Sequence, residues 1–281
     1  MVIAARYPRT YRTVRTPVRW AHTMGHPAMF YLRAIAGIPT VVTRFRRETV
    51  RLVAEISMGS GALAVIGGTV IIVGFLTLAA GGTLAVQGFS SLGNLGIEAL
   101  TGFFAAFINV RISAPVIAGI GLAATIGAGS TAQLGAMRIN EEIDALDSMA
   151  INPMTYLVST RVLAGLLAII PLYSLAVVAS FLASRYTTVL LFGQSGGLYD
   201  HYFSTFLNPV DILWSFMQAI IMAVVVMLVH TYYGYFASGG AEGVGVAVGN
   251  AVRSSLIAVV AVTLLSSLAL YGTNGNFNLS G

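Results

Sequence analysis

Five long apolar stretches separated by short polar segments dominate the pattern of this chain. They run roughly over residues 62–86, 112–135, 161–184, 212–237 and 251–272. Each is long enough to cross about 30 Å of hydrocarbon as an α-helix, which takes about 20 residues. Because a backbone inside lipid must satisfy its own hydrogen bonds, the pattern predicts an all-α integral membrane protein with five transmembrane helices.

The apolar run that contains the second predicted span is too long for a single crossing. From residue 99 to residue 135 it would extend about 55 Å as one helix, and Arg111 and Pro115 interrupt it. We therefore expect residues 97–110 to form a separate re-entrant or interfacial helix on the outer side. The alternative is that they are the overhanging end of a long, bent second span.

A strongly polar segment lies between the second and third predicted spans. Four of the ten acidic residues fall within seven positions there: Glu141, Glu142, Asp144 and Asp147. Apolar residues recur among them at the spacing of one helix face: Ile139, Ile143, Leu146 and Met149. The pattern predicts a short amphipathic helix over residues 138–149. The Asn152-Pro153 pair is expected to end it, because proline disfavours the α conformation in the residue before it.

The N-terminal region, residues 1–57, is basic. Residues 1–51 hold ten of the fifteen arginines and one acid, Glu48. Pro27 can open a helix over residues 28–36, which Gly37-Ile38-Pro39 would stop. An amphipathic helix on the membrane surface is then predicted by a face made of Val42, Phe45, Thr49, Leu52 and Ile56, with arginines on the other side. An arginine-rich arm for nucleic acid is the alternative, and the span that follows argues against it.

The distribution of arginine indicates how the chain crosses the membrane. With the N-terminus in the cytoplasm, the inner side holds thirteen arginines, namely the ten N-terminal ones with Arg138, Arg161 and Arg253. The outer side then holds two, Arg111 and Arg185. We expect a multi-pass protein of the inner (plasma) membrane, with its C-terminus outside and the helix at 138–149 facing the cytoplasm.

Composition agrees with this class and excludes several chemistries. The chain is 57% hydrophobic and 9% charged, with a mean hydropathy of +0.84, whereas soluble domains carry about 25% charged residues. It has no cysteine, and all fifteen basic residues are arginine. A P-loop needs a lysine, so the chain cannot hydrolyse ATP with a Walker-type site of its own. A Schiff-base mechanism is excluded for the same reason.

We find no catalytic constellation and predict no metal site and no cofactor in this chain. The histidines lack an H-E-x-x-H pattern, and no G-x-S-x-G motif is present. Asp200-His201 is a weak signal for metal or acid–base chemistry, and an aromatic belt at the membrane interface is the more usual explanation of that segment. An ion-coupled secondary transporter would need ionisable residues at mid-membrane, where only Arg111 comes near.

Of the functions considered, a permease that is driven by a partner protein therefore remains. A short helix between spans can dock into a groove on a separate ATPase, with its apolar face filling the groove and its acids pairing with basic residues on the rim. The alternative is a solvated interfacial helix without a partner. A non-transporting membrane scaffold is a third class, and ATP dependence separates the ATP-driven permease from the others.

Several motifs occur in order along the chain, and together they are specific. They read A-V-Q-G-F at 85–89, N-V-R-I-S-A-P at 109–115, G-S-T-A-Q-L-G-A-M-R at 129–138, E-E-I-D-A-L-D-S-M-A-I-N-P at 141–153 and Y-L-V-S-T-R-V-L-A-G at 156–165. From about residue 50 onward the chain resembles the MlaE/YrbE permeases of lipid-transporting ABC systems. Its N-terminal half and its ending N-F-N-L-S-G resemble the B-type YrbE permease of actinobacterial mammalian-cell-entry (Mce) systems.

The resemblance implies an N-terminal interfacial helix followed by a permease domain, residues 58–281, with five transmembrane helices and a cytoplasmic coupling helix between the second and third. Two permeases, in Mce systems two different ones, would pair around a lipid cavity. Cytoplasmic ABC ATPases, which bind ATP and Mg²⁺, would dock beneath, and MCE-domain proteins would assemble outside. The permease itself would not be an enzyme. The expected cargo is a fatty acid, a sterol or a related lipid, moved inward.

The resemblance also carries over individual residues. The expected contacts with the ATPase are Arg138, Glu141, Glu142, Asp144, Leu146, Asp147 and Met149. The expected lipid cavity holds Leu84, Gln87, Leu92, Leu95 and Arg111, with Gln87 bonding a head group or the partner permease.

The chain departs from the family at Arg111. Relatives often read R-E-L-G-P where this chain reads R-I-S-A-P at 111–115, so the glutamate beside the arginine is missing. An uncompensated Arg111 would meet an anionic head group or an acid of a non-identical partner, and Glu98 is a further candidate. Alternatively, Arg111 reaches along the helix to the outer interface.

Overall fold

The computed structural model describes residues 25–58 and 64–271, and within these ranges every regular element is a helix. We number the helices α1 to α10 in chain order. Their bounds are α1 25–36, α2 Ile38–Arg44, α3 Arg46–Met58, α4 Ala64–Gly93, α5 Glu98–Ile139, α6 Glu142–Ser148, α7 Met154–Leu191, α8 Gly196–Phe206, α9 Pro209–Tyr235 and α10 Gly240–Tyr271.

Five of these helices, α4, α5, α7, α9 and α10, are long and apolar enough to cross a membrane. The prediction of five transmembrane helices in an all-α fold is confirmed. Most are longer than predicted, because apolar periodicity marks the lipid-facing part of a helix and does not show how far the helix continues beyond it. Helices α1 to α3 and α6 lie at one end of the bundle, and α8 lies at the other. We call these the α6 side and the α8 side.

The expectation of a separate helix at residues 97–110 was wrong, because these residues form the first part of α5. That helix runs without a break for 42 residues. It includes π-helical segments at Asn109–Ser113 and Ala123–Gly127. Pro115 lies two residues beyond the end of the first of them. A π segment shifts the hydrogen-bond register by one residue, and such insertions are a common way for a helix to absorb a local irregularity without ending.

Helix α7 is at the centre of the bundle, where it packs against α3, α4, α5 and α9. In the apolar stretch of α7, 56% of the residues are buried. The corresponding share is 28% in α4 and only 17% in α10. The peripheral helices therefore carry exposed apolar side chains such as Phe75 on α4 and Ile257 and Leu265 on α10. In a membrane these faces contact lipid or another protein chain.

A buried polar network attaches α10 to the rest of the bundle. The ring of His230, on α9, lies between two hydroxyl groups, with Nδ1 2.8 Å from Thr131 Oγ1 on α5 and Nε2 3.2 Å from Ser255 Oγ on α10. Gly127 lies directly against the ring, so a side chain at that position would collide with it. Within an apolar interior these hydrogen bonds join three spans at a defined register.

The N-terminal helices are anchored to the bundle by α1. Phe30 is 3% exposed and packs in the main core, where its ring contacts those of Tyr232, Tyr235 and Phe236. The hydroxyl of Ser159, near the start of α7, donates to the carbonyl of Ala34 over 2.8 Å. Helix α1 is therefore an integral part of the packed structure.

The predicted single amphipathic helix beyond residue 42 is divided at Phe45 into α2 and α3. Pro39 does not end the helical region. It lies in the first turn of α2, where the missing N–H costs nothing. Thr49 and Leu52 are buried, whereas Val42 is exposed. The membrane-surface position of this segment stays a prediction, and the expectations for residues 1–24 and 276–281 lie outside the described residues.

We predict that Phe30→Ala lowers the free energy of unfolding by about 3 kcal/mol, because it removes a buried aromatic ring and leaves a cavity. Thermal unfolding of the detergent-solubilised protein measures the change. Leu32→Ala on the same helix is the matched control, since Leu32 is 65% exposed. Equal effects of the two variants would show that Phe30 does not anchor α1.

Candidate functional site

The acidic segment between the second and third spans forms a shorter helix than predicted. Arg138 and Ile139 belong to the last turn of α5, and the chain then turns at Glu141, whose φ of +59° is left-handed. Helix α6 starts only at Glu142 and ends at Ser148. The predicted helix over 138–149 is corrected accordingly. The predicted helix was too long because Ile139 and Ile143, on either side of the turn, keep the apolar spacing of one helix face.

The Asn152-Pro153 pair starts the third span and does not end α6. The Asn152 Oδ1 atom accepts hydrogen bonds from the backbone N–H groups of Met154 and Thr155, at 3.0 and 3.3 Å, as a helix cap does. Helix α6 has already ended at Ser148, and Ala150, two residues further on, has a φ of +59°. The N–H of Ile151 closes this end on the carbonyl of Leu146 over 3.0 Å.

The apolar face of α6 packs against its own chain. Ile143 is 2% exposed and lies in one buried apolar cluster with Leu134 of α5 and Leu157 of α7, with Leu146 half-buried beside them. The expectation that this face would fill a groove on a partner was therefore wrong for Ile143, and for the half-buried Leu146 it stays a prediction. A helix of seven residues is not stable alone, so it buries its apolar face on the nearest apolar surface. Of the predicted face, Ile139 and Met149 remain exposed.

The opposite side of α6 presents its carboxylates to the surroundings. Asp144 Oδ1 accepts from Arg138 Nη1 over 2.8 Å, which links α6 to the end of α5. Glu141, Glu142 and Asp147 are exposed around this pair. We call these three residues the acidic surface. Their charges are close together on a helix held firmly between two spans.

The residues expected in the lipid cavity lie at the α8-side end of α4. Leu84 and Leu92 are half-buried, while Gln87 and Leu95 are exposed. Gln87 Nε2 donates to Ser91 Oγ, one turn further along the same helix, at 3.3 Å. The four residues thus form an open, mostly apolar face with one amide group. Whether this face binds lipid stays a prediction.

The structure places Arg111 apart from these residues and gives it an acidic partner. Its Nη2 atom donates to Asp211 Oδ2 over 2.8 Å, and its guanidinium lies 4.1 Å from the centre of the Phe107 ring. The two side chains are only 13% and 19% exposed. The expectation of an uncompensated arginine was wrong, since Asp211 of the same chain compensates its charge. Glu98 is exposed, and its backbone carbonyl accepts from Gln194 Nε2.

Sequence reasoning missed Asp211 because it is 100 residues away from Arg111. One signal was present. Asp211 follows Asn208-Pro209, where Asn208 caps α9, and an acid in the first turn of a helix is a common feature. Nothing in the pattern showed that this turn lies beside Arg111.

The Asp200-His201 pair does not form a site. Asp200 accepts two hydrogen bonds from Arg185, each of 2.8 Å, and these bonds hold the pKa of the Asp200 carboxyl below its usual value. His201 is exposed, and its ring lies against that of Tyr202. The pair with Arg185 fastens α8 to the end of α7.

Five membrane-spanning helices with a short acidic helix between the second and third define the class of a polytopic membrane protein. The model of the family described as Permease MlaE matches residues 58–269, which is more than half of the chain. The chain belongs to the MlaE permease family.

The names of similar proteins are consistent with membership of this family. The chain is 29% identical over 164 residues to a protein of Rickettsia prowazekii named a probable ABC transporter permease protein, covering 55% of this chain and 60% of that one. It is 27% identical over 164 residues to a protein of Synechocystis with the same name, covering 58% and 62%. It is 28% identical over 163 residues to the chloroplast protein trigalactosyldiacylglycerol 1 of Arabidopsis thaliana, covering 58% and 47%. The chain thus matches about three fifths of the length of the two bacterial relatives.

We predict a coupling free energy of roughly 1–2 kcal/mol between Arg111 and Asp211, because the pair is mostly shielded from water. A double-mutant cycle with Arg111→Met and Asp211→Asn, followed by thermal unfolding, measures it. The same cycle on Arg185 and Asp200, which are far more exposed, is expected to give a smaller value. Additive effects of Arg111→Met and Asp211→Asn would contradict the prediction.

Proposed function

We propose that this chain is the transmembrane permease subunit of an ABC-type lipid transporter of the Mce kind. It moves a fatty acid, a sterol or a related lipid inward across the inner membrane, driven by ATP hydrolysis in a separate cytoplasmic ATPase. The observation that carries the proposal is α6, a short helix with an exposed acidic surface that is packed between the ends of two spans.

The packing of α6 supports a coupling role. Ile143 shares one buried apolar cluster with Leu134 at the end of α5 and Leu157 at the start of α7, and the Arg138–Asp144 ion pair reinforces the connection to α5. A force applied to α6 therefore reaches two spans together. Arg161 strengthens the connection between α5 and α7 next to α6. Its guanidinium donates to the Leu157 carbonyl at 3.0 Å and lies 3.5 Å from Gln133 Oε1.

The acidic surface suits a basic partner. Exposed carboxylates steer a partner of opposite charge and set its orientation more than they add affinity. Since the chain has no lysine for a P-loop, the partner binds ATP and Mg²⁺ and supplies the energy of ATP hydrolysis. On this proposal the α6 side faces the cytoplasm, as the distribution of arginine indicates.

The open faces of α4 and α10 support the lipid route and a paired permease. Exposed apolar side chains on α4 continue toward Gln87 and Leu95, so a second, non-identical permease set against this face would enclose an apolar space. Lipid tails bind such a space through apolar area, at about 25 cal/mol per Å², with little selectivity among tails. The name of the Arabidopsis relative is that of a galactolipid, which is in keeping with lipid cargo. MCE-domain proteins would then meet the α8 side.

We predict that the triple variant Glu141→Ala, Glu142→Ala, Asp147→Ala binds the ATPase at least about tenfold more weakly, because it removes the charges that orient the partner. Co-purification of the complex in mild detergent, quantified by mass spectrometry, measures the loss. Glu242→Ala is the control, since Glu242 is also exposed on the α6 side. Retention of the ATPase by the folded triple variant would remove the coupling role of the acidic surface.

Transport assays separate this proposal from its alternatives. In proteoliposomes that hold the permease pair and the ATPase, we expect lipid movement to stop when ATP is omitted and to be indifferent to an ion gradient. Movement that follows an ion gradient without ATP would indicate a secondary transporter. A folded complex that moves no lipid under either condition would indicate a scaffold.

A further inference from the structure

A cleft of about 700 Å³ opens on the α6 side, between the N-terminal helices and the segment that follows α6. One wall is formed by α1 and α2 and the other by the end of α6 and the cap of α7. The polar residues that line it are Arg33, Thr40, Asp147, Asn152, Thr155 and Tyr235.

Both walls of the cleft are fixed to the same helix. The Ser159 hydroxyl holds α1 through the carbonyl of Ala34, and Gly37, at the turn between α1 and α2, lies so close to Ser159 that a side chain there would collide with it. On the other wall, Asn152 caps the first turn of α7. The cleft is therefore rigidly attached to the start of α7.

The two walls carry opposite charges. Arg33 is exposed on the α1 wall and Asp147 on the α6 wall, with hydroxyl and amide groups between them. Asp147 also belongs to the acidic surface, so the cleft continues the surface that we propose for the ATPase. A ligand that fits would be polar, with an acid toward Arg33 and a base toward Asp147.

We propose that this cleft receives a polar loop of the ATPase that carries an acidic side chain for Arg33 and a basic side chain for Asp147. The inference rests on the proposed function and adds the N-terminal helices to the docking surface. Through this loop the ATPase moves α7 directly by its first turn, as well as through α6. The N-terminal helices then form one wall of the coupling site in addition to any contact with the membrane.

Cross-linking tests the position of the loop, because the chain contains no cysteine and a single one can be introduced at will. Three exposed sites on the α6 side are compared: Thr40→Cys in the cleft, Ser148→Cys on α6, and Ser238→Cys between α9 and α10. Each variant is labelled with a maleimide benzophenone, assembled with the purified ATPase in lipid nanodiscs, and irradiated. We expect Thr40→Cys and Ser148→Cys to cross-link to the ATPase, and Ser238→Cys to do so at least about tenfold less.

The outcomes distinguish the inference from the proposed function. A Thr40→Cys cross-link that maps to an ATPase loop with acidic and basic residues supports the inference. A Ser148→Cys cross-link without one from Thr40→Cys overturns the inference and leaves the proposed function intact. If neither Thr40→Cys nor Ser148→Cys cross-links to the ATPase, the inference and the proposed function are both overturned. Cross-linking of Thr40→Cys to lipid, or within its own chain, shows a different occupant and also overturns the inference.

A charge reversal gives a second, independent measurement. We expect Arg33→Glu to weaken ATPase binding about tenfold, since it places a negative charge against the acid of the loop. Arg47→Glu is the matched control, because Arg47 is an exposed arginine on α3 outside the cleft. Equal binding by the two folded variants would exclude a role for Arg33 in docking.

Discussion

The buried apolar cluster of Ile143, Leu134 and Leu157 determines the arrangement of the α6 side. A helix as short as α6 gains too little from its own hydrogen bonds to persist in water, so its position depends on this buried side chain. The same cluster decides which face is turned outward. Because the apolar side chain of Ile143 is used inside the chain, the carboxylates of the acidic surface are turned outward.

Two left-handed residues, Glu141 and Ala150, mark the ends of α6. Non-glycine residues adopt this conformation at a cost of about 1–2 kcal/mol, and they persist only where the surrounding structure compensates. Here the compensation comes from the packing of Ile143 and from the backbone hydrogen bond of Ile151 to Leu146 at the end of α6. The two turns set the direction of α6 relative to the spans, which lets a force on the short helix act on α5 and α7 at once.

Three arginines of the described residues pair with an aspartate on another helix. Arg111 pairs with Asp211, Arg185 with Asp200, and Arg138 with Asp144. Each pair joins different helices, so the same contact that neutralises a charge also fixes the position of an element. The Arg111–Asp211 pair shows that the charge of Arg111 is compensated within this chain, by an acid from a distant part of the sequence.

The sequence by itself determined the five spans, the all-α class and the acidic segment between the second and third spans. These features follow from apolar length and from local composition, which are properties of consecutive residues. The family resemblance rested in the same way on short ordered motifs. Only the tertiary structure decided that residues 97–110 continue the second span, that Ile143 faces inward, and that Asp211 meets Arg111. Each of these depends on which distant surface lies nearby, and a pattern along the chain carries no information about distances between segments 100 residues apart.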